Sequence, residues 1–248
     1  MNWHLILDPP LDGAENMAID ARLLADVENS PESRTVVRFY QWIRPTVSLG
    51  RNQQIDAAVD RTFCVESGVD IVHRPTGGRA VLHDDELTYA VASNDSAIFG
   101  DTIYANYKSV SEALRDGFHR LGIPAVLAPE TRRSPTQQAG MDLPCFISPS
   151  RYELTVGGRK IVGSAQRRLR RSFLQHGSMP IGCDREKLAR ATRLPDAGIL
   201  YEEMAGIAEF LPARPSLDRF REALVAGFES RFGIELKRGQ TPIQERLS

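Results

Sequence analysis

Apolar residues recur at helical spacing in a few stretches and crowd into short β-branched runs elsewhere. NMAIDARLLADVEN (16–29) places Met17, Ile19, Leu23, Leu24 and Val27 near one face of a helix. IYANYKSVSEALRDGFHRLGI (103–123) repeats Tyr104, Tyr107, Val110, Leu114, Phe118 and Leu121 at the same period, and Gly122 can end it. TVVRFYQW (35–42) is β-branched and aromatic and predicts a strand. TVSLGR (46–51), VDIVHR (69–74), RAVLHD and ELTYAVAS (86–93) predict further strands, with Pro75–Gly78 as a turn or hairpin loop between two of them. RYELTVGGRKIVGSAQRR (151–168) reads as strand, Gly-Gly turn, strand, and FLQHGSMPI (173–181) as another strand. DREKLARATRL and SLDRFREALVAGFESRFGI (216–234) predict helices, while 128–150, rich in Pro, Thr, Gln and Ser, predicts a long loop. Strands in the centre with helices around them predict an α+β fold. One domain is expected over 1–248, with a helical C-terminal part from about 184 to 248.

Composition narrows the field by exclusion. The 248 residues carry 42% hydrophobic and 25% charged residues, ordinary for a globular protein. A formal net charge of −1 gives no electrostatic case for nucleic acid or an anionic membrane. The N-terminus has no basic segment followed by an apolar run, so no signal peptide is expected, and no stretch is apolar enough to span a bilayer. The three cysteines, Cys64, Cys145 and Cys183, are odd in number and far apart. That argues against a disulfide framework or a zinc site and for free thiols in a reducing, cytoplasmic compartment.

Three segments are candidates for chemistry, and each has a plainer reading. HRPTGGRAVLHD holds adjacent glycines, whose bare backbone lets a ligand approach and whose N–H groups can bind an oxyanion. Arg74 and Arg79 flank it, and His83 and Asp84 follow. The plainer reading is a hairpin turn with a solvated arginine. GGRKIVGSAQRR places Lys160 in a short strand near the small residues Gly163, Ser164 and Ala165, where it can hold a carbonyl or carboxylate. Alone it is equally an edge-strand lysine that deters aggregation. LPCFISPS places Cys145 in a loop, where a thiolate would be a nucleophile toward an acyl donor, although most free cysteines are small buried hydrophobes. Cys64 and Cys183 have less suggestive surroundings and are read as structural.

Together, RPTGGRAVLHDDELTYAV and GGRKIVGSAQRR with FLQHGSM resemble the lipoate-protein ligase and octanoyltransferase family, relatives of the biotin protein ligases. NMAIDARLL is similar to that family's first helix and VVRFYQWIRPTVSLGRNQ to its first strand pair, so the resemblance runs from about residue 13 to about residue 182. It implies a mixed, mostly antiparallel sheet flanked by helices, the catalytic domain of biotin and lipoate protein ligases. It implies that the Gly-Gly loop and the lysine strand close around a medium-chain acyl group. Arg74, Thr76, Gly77, Gly78, His83, Gly163, Ser164 and Ala165 then bind substrate, Lys160 faces the acyl carbonyl, and Val47, Leu49, Val81 and Leu82 are candidates for the tunnel wall.

The family holds ATP-dependent ligases and cysteine-dependent octanoyltransferases. CFISPSRYELTVGGRK resembles the transferase subgroup whose nucleophile lies upstream of the lysine strand, which makes Cys145 the nucleophile. The implied reaction takes an octanoyl group from acyl carrier protein, through a Cys145 thioester, to a lysine of a lipoyl-domain protein such as glycine cleavage H protein, without a cofactor. The rivals are an ATP-dependent lipoate-protein ligase, a transferase between two lipoyl domains, and a non-catalytic module that binds acyl groups or lipoyl domains.

Overall fold

The structure is a computed structural model that describes residues 2–128 and 152–239; Cys145, and the expected loop beyond Ala128, lie outside the described residues. In chain order the elements are β1 (Trp3–Leu7), α1 (Gly13–Asn29), β2 (Thr35–Tyr40), β3 (Thr46–Leu49), α2 (Ile55–Ala58), α3 (Arg61–Glu66), β4 (Asp70–His73), β5 (Val81–His83) and β6 (Glu86–Ser93). Then come α4 (Ser96–Phe99), α5 (Ile103–Arg120), β7 (Val126–Leu127), β8 (Leu154–Val156), β9 (Arg159–Lys160), β10 (Gly163–Arg168) and β11 (Phe173–Pro180). The last are α6 (Arg185–Ala191), α7 (Gly198–Glu203), a 3-10 turn (Ile207–Phe210), α8 (Leu217–Phe232) and β12 (Lys237–Arg238).

The main sheet has the order β10-β11-β6-β2-β1-β12, antiparallel from β10 to β2 and parallel from β2 to β12. Its middle strands are covered on both faces, which is why they read as unbroken apolar runs. Leu87, Tyr89 and Val91 of β6 and Val37 and Phe39 of β2 pack toward α5 and α8. Ala90 and Ala92, with Val36 and Tyr40, pack toward α1. Each long helix starts at a side-chain cap: Asp12 accepts from Glu15 N–H at 2.8 Å, Thr102 from Ala105 N–H at 3.1 Å, and Ser216 from Arg219 N–H at 3.2 Å. Such caps contribute about 1 kcal/mol each. The C-terminal α8 shares the core of α5, with the Phe118 and Phe220 rings 5.9 Å apart. No helix among the described residues is long and apolar enough to cross a membrane.

A second sheet has the order β4-β3-β5 and corrects one expectation. The Pro75–Gly78 segment is not a hairpin loop. It joins β4 and β5, which do not pair with each other; both pair with β3, β4 in parallel and β5 in antiparallel. The loop therefore crosses the end of β3, where Arg74 N–H bonds Leu49 O and Arg51 N–H bonds Thr76 O, both at 2.9 Å. A third small sheet, β7-β8-β9, carries the Gly-Gly turn at 157–158 that the sequence predicts.

Candidate active site

The crossing loop owes its shape to Arg74, which is only 4% exposed. Its guanidinium reaches Ser48 O at 2.8 Å on β3 and curls the loop round itself, with Nη2 donating to Gly77 O at 2.8 Å and Arg79 O at 2.7 Å. Five donors in a planar fork suit a residue that must gather several carbonyls. The backbone closes tightly here. Gly78 has φ +92°, a conformation costly for any residue with a Cβ. A Cβ on Gly50, at the end of β3, would overlap the Gly78 carbonyl oxygen.

A narrow pocket lies between Arg74 at the base of this loop, the β3–β5 pair and the β10–β11 pair; Thr76, Gly77 and Gly78 stand beside it and do not line it. Arg74 and His83, and Gly163, Ser164 and Ala165 of β10, all line it, so the structure brings these expected residues together. Gly78 also faces β10, since a Cβ there would stand 3.9 Å from that of Ala165. Val81 lines the pocket, but Val47 and Leu49 do not. Strand alternation turns Ser48 toward the pocket and sends Val47 and Leu49 to the opposite face, where they pack with Val59, Cys64 and Val69. These two, together with Leu82, which packs against the same cluster and is not in the pocket lining, are corrections to the expected tunnel wall.

The pocket surface is almost all carbon, although several residues lining it are polar. The reason is that their polar atoms bind one another beneath the surface. His83 is stacked on Trp42 with ring centroids 4.1 Å apart. Its Nδ1 donates to Glu86 Oε1 at 2.8 Å, and its Nε2 lies 2.7 Å from Ser48 Oγ. Glu86 also accepts short bonds from the Thr88 and Ser178 hydroxyls. His176 repeats the arrangement: Nδ1 is 2.7 Å from Asp20 Oδ2 and Nε2 is 2.7 Å from Thr76 Oγ1. Asp20 is held from the other side by Arg38 Nη1 at 2.7 Å and Tyr40 OH at 2.9 Å, while Arg38 Nε bonds Asp8 at 2.7 Å. Buried polar groups satisfied in this way leave an apolar wall.

The charge states follow from that wiring. Burial works to raise the Asp20 carboxyl, but the His176 bond and the Arg38 guanidinium outweigh it and hold it below its ordinary value. Burial pushes the His176 imidazole down, the Asp20 bond resists, and Arg74 and His83 add to the downward push. On β6, burial pushes the Tyr89 phenol up to about 12. Its hydroxyl is 2.7 Å from Ser164 Oγ and accepts from Gln175 Nε2 at 2.9 Å.

Lys160 is buried at 1% exposure and is not part of the pocket lining. Its ammonium donates to Glu153 Oε1 at 2.6 Å. Among the described cysteines, Cys64 is buried, and burial pushes its thiol up. Burial pushes the Cys183 thiol up to about 12. Neither is a ready thiolate at neutral pH.

Sequence reasoning did not single out Asp20, Ser48, Glu86, Glu153 or His176. For Asp20 a signal existed, since it sits on the apolar face that Met17, Leu23 and Leu24 define. A lone carboxylate in such a stripe must have a buried partner.

Residues 12–229 match the lipoyl protein ligase A/B catalytic domain. The chain is 38% identical over 252 residues to a protein of Carboxydothermus hydrogenoformans named octanoyltransferase LipM, covering 98% of this chain and 91% of that one. It is 34% identical over 248 residues to the protein of the same name from Bacillus subtilis, covering 95% and 88%. In three dimensions it is similar to a crystal structure of lipoate-protein ligase A bound with ATP, with a TM-score of 0.80 over 100% of this chain and 92% of that one. Identity there is 23%, so the likeness is one of fold. The matched family residues and the full-length relatives agree: this chain belongs to the lipoyl protein ligase A/B catalytic domain family.

Proposed function

We propose that the protein transfers an octanoyl group from acyl carrier protein to a lysine of a lipoyl-domain protein, through a thioester on Cys145. The observation that carries this reading is 33–38% identity, over nearly the whole chain, to relatives named octanoyltransferase LipM. The apolar lining of the pocket beside the Gly-Gly loop supports it, because an acyl chain packs against carbon, and the site must widen to admit eight carbons. In this reading residues 1–248 form one catalytic domain, the acceptor is a protein of the glycine cleavage H type, and the reaction runs in the cytoplasm with its donor.

The chemistry is a double displacement. The Cys145 thiolate attacks the carbonyl carbon of the carrier thioester, and the carbonyl electrons move onto oxygen. Collapse of that oxyanion expels the carrier thiolate and leaves octanoyl-Cys145. The acceptor lysine amine then attacks the same carbonyl. Collapse breaks the carbon–sulfur bond, the amide forms, and the ammonium proton neutralises the departing thiolate. One thioester replaces another in the first half, and amide formation draws the second half forward, so ATP is not required. In this reading the N–H groups near Gly77 and Gly78 stabilise the oxyanion, worth about 3 kcal/mol per well-placed donor, and Lys160 joins them only when its ammonium turns from Glu153 toward the carbonyl.

The test is intact mass after incubation with octanoyl-carrier protein in the absence of ATP. One octanoyl mass, released by hydroxylamine and missing from Cys145→Ala, is expected. An adduct that persists in Cys145→Ala overturns the nucleophile. Lipoyl-domain modification only with free octanoate and ATP makes the protein a ligase instead.

A further inference from the structure

His176 links the rigid middle of the molecule to the loop that rims the pocket. It sits on β11, which is paired on both sides by β10 and β6. Its Nδ1 carries the proton given to Asp20, because a carboxylate can only accept. Asp20 belongs to α1 and is already fixed by Arg38 and Tyr40. The neutral ring then has Nε2 free to accept, and the Thr76 hydroxyl stands 2.7 Å away. Thr76 lies next to Gly77 and Gly78, and neither glycine has a side chain of its own to anchor. The carboxylate is satisfied without the imidazole; the loop is what the imidazole serves.

We propose that His176, oriented by Asp20, is a positioning residue for acyl transfer, holding through Thr76 the backbone of Gly77 and Gly78 against the acyl carbonyl. The proposal rests on the transferase reading above. The groups that face His176 are Asp20 from α1, Arg74 from the loop and His83 from β5, with Arg38 and Tyr40 of β2 on the same carboxylate. Its depressed basicity keeps it neutral at pH 7. Protonation turns Nε2 into a donor. Thr76 Oγ1, which already faces Arg74 Nε at 3.2 Å, must then accept from both and turn its own proton away from the imidazole. The side-chain bond that sets Thr76, beside the Arg74 bonds that hold the carbonyls, is thus reversed as pH falls below 6.5 through the lowered value of His176, and the backbone of Gly77 and Gly78 shifts with it.

The experiment measures octanoyl transfer by wild type, His176→Gln, Thr76→Val, the double variant and Thr76→Ser. Each of the first two single changes should lower kcat by about 10²-fold, the usual result of a small misplacement at a reacting centre. KM for the octanoyl donor should move by less than about threefold. Residues that act as one unit are not additive, so the double variant should be no worse than either single. Thr76→Ser keeps the hydroxyl and should restore transfer and its loss below pH 6.5, whereas Thr76→Val should lack that pH limb.

A second readout does not depend on activity. In the wild-type protein, imidazole ¹⁵N signals should report the Nδ1–H tautomer of His176. The Gly77 and Gly78 amide signals should follow its titration, and in Thr76→Val they should not. Losses that multiply in the double variant, a change in KM with kcat intact, or glycine amides blind to the titration overturn the proposal. If His176→Gln does not fold, Thr76→Val and the wild-type titration decide. If the wild type transfers nothing, the transferase reading fails, and the titration still decides whether His176 holds the loop.

Discussion

Lys160 Nζ of β9 donates at 2.6 Å to Oε1 of Glu153, the residue before β8, with side-chain exposures of 1% and 2%. A buried ion pair is retained at a desolvation cost, and removing one member is far worse than removing both. Lys160→Met takes away the ammonium partner of Glu153 and should destabilise the fold by about 3–5 kcal/mol. Loss of transfer in that variant alone is therefore ambiguous. Lys160→Met combined with Glu153→Gln should recover most of the stability while transfer stays roughly 10²–10³-fold down. Thermal melts and transfer rates on both variants check this, and a double variant that regains activity confines Lys160 to a structural role.

The two loop glycines differ, and substitution should separate them. A Cβ on Gly77 meets nothing within 4 Å, whereas one on Gly78 meets Arg74 Nη2 at 2.8 Å and must also accept φ +92°. Gly78→Ala should cost about 1–2 kcal/mol of stability and disturb Arg74. Gly77→Ala should leave stability within about 0.5 kcal/mol. A fall in transfer by Gly77→Ala without a change in melting then reports a clash with substrate. Normal transfer by both variants places the acyl carbonyl elsewhere.

What the sequence made legible was local. The period of α1 and α5 and the apolar run of β6 came through because each is set by which faces its own residues bury. The N-terminal β1 and the two-residue strands β7 and β12 did not, because a short strand is made by its partner. The Pro75–Gly78 segment read as a hairpin because β4 and β5 adjoin in sequence; only the insertion of β3 between them makes it a crossing. The glycine and lysine motifs drew attention to the site, but its wiring was invisible. Arg38 sits in the middle of TVVRFYQW and Asp20 in the middle of NMAIDARLL, and nothing in either stretch says that the two side chains meet. Glu153 and Lys160 are seven positions apart, yet only the turn at 157–158 brings them face to face.

The described thiols predict a reactivity order. With its thiol pushed up to about 12, Cys183 holds a thiolate fraction on the order of 10⁻⁵ at pH 7.5. Cys64 is fully buried, and its thiol is raised as well. Cys183→Ala should therefore transfer octanoyl groups within about twofold of wild type. Iodoacetamide at pH 7.5 should label Cys145→Ala at least about tenfold more slowly than wild type. Equal labelling rates would mean that Cys145 is not the activated thiol.

Stability should fall as pH drops below 6.5, and His176 should account for much of the slope. The folded value of His176 lies below 6.5, chiefly because burial disfavours its charged form. In the window between that lowered value and 6.5 the unfolded chain binds more protons than the folded one, so stability is full above 6.5 and is lost as pH falls through the folded value. The slope reaches about 1.4 kcal/mol per pH unit for one proton. His4 is lowered too and acts in the same direction, but it is more open to solvent and contributes less. Asp20 acts in a more acid window: its folded value lies below 3.8, so its contribution holds above 3.8 and is lost as pH falls through the folded value. Asp8, raised by burial, partly offsets that loss. Urea melts of wild type at pH 7.5 and 5.5 should show a lower midpoint at pH 5.5. In His176→Gln most of that difference should vanish, and in a variant at His4 most of it should remain. An unchanged difference in His176→Gln would mean that the imidazole on Asp20 is not the group whose burial couples folding to pH.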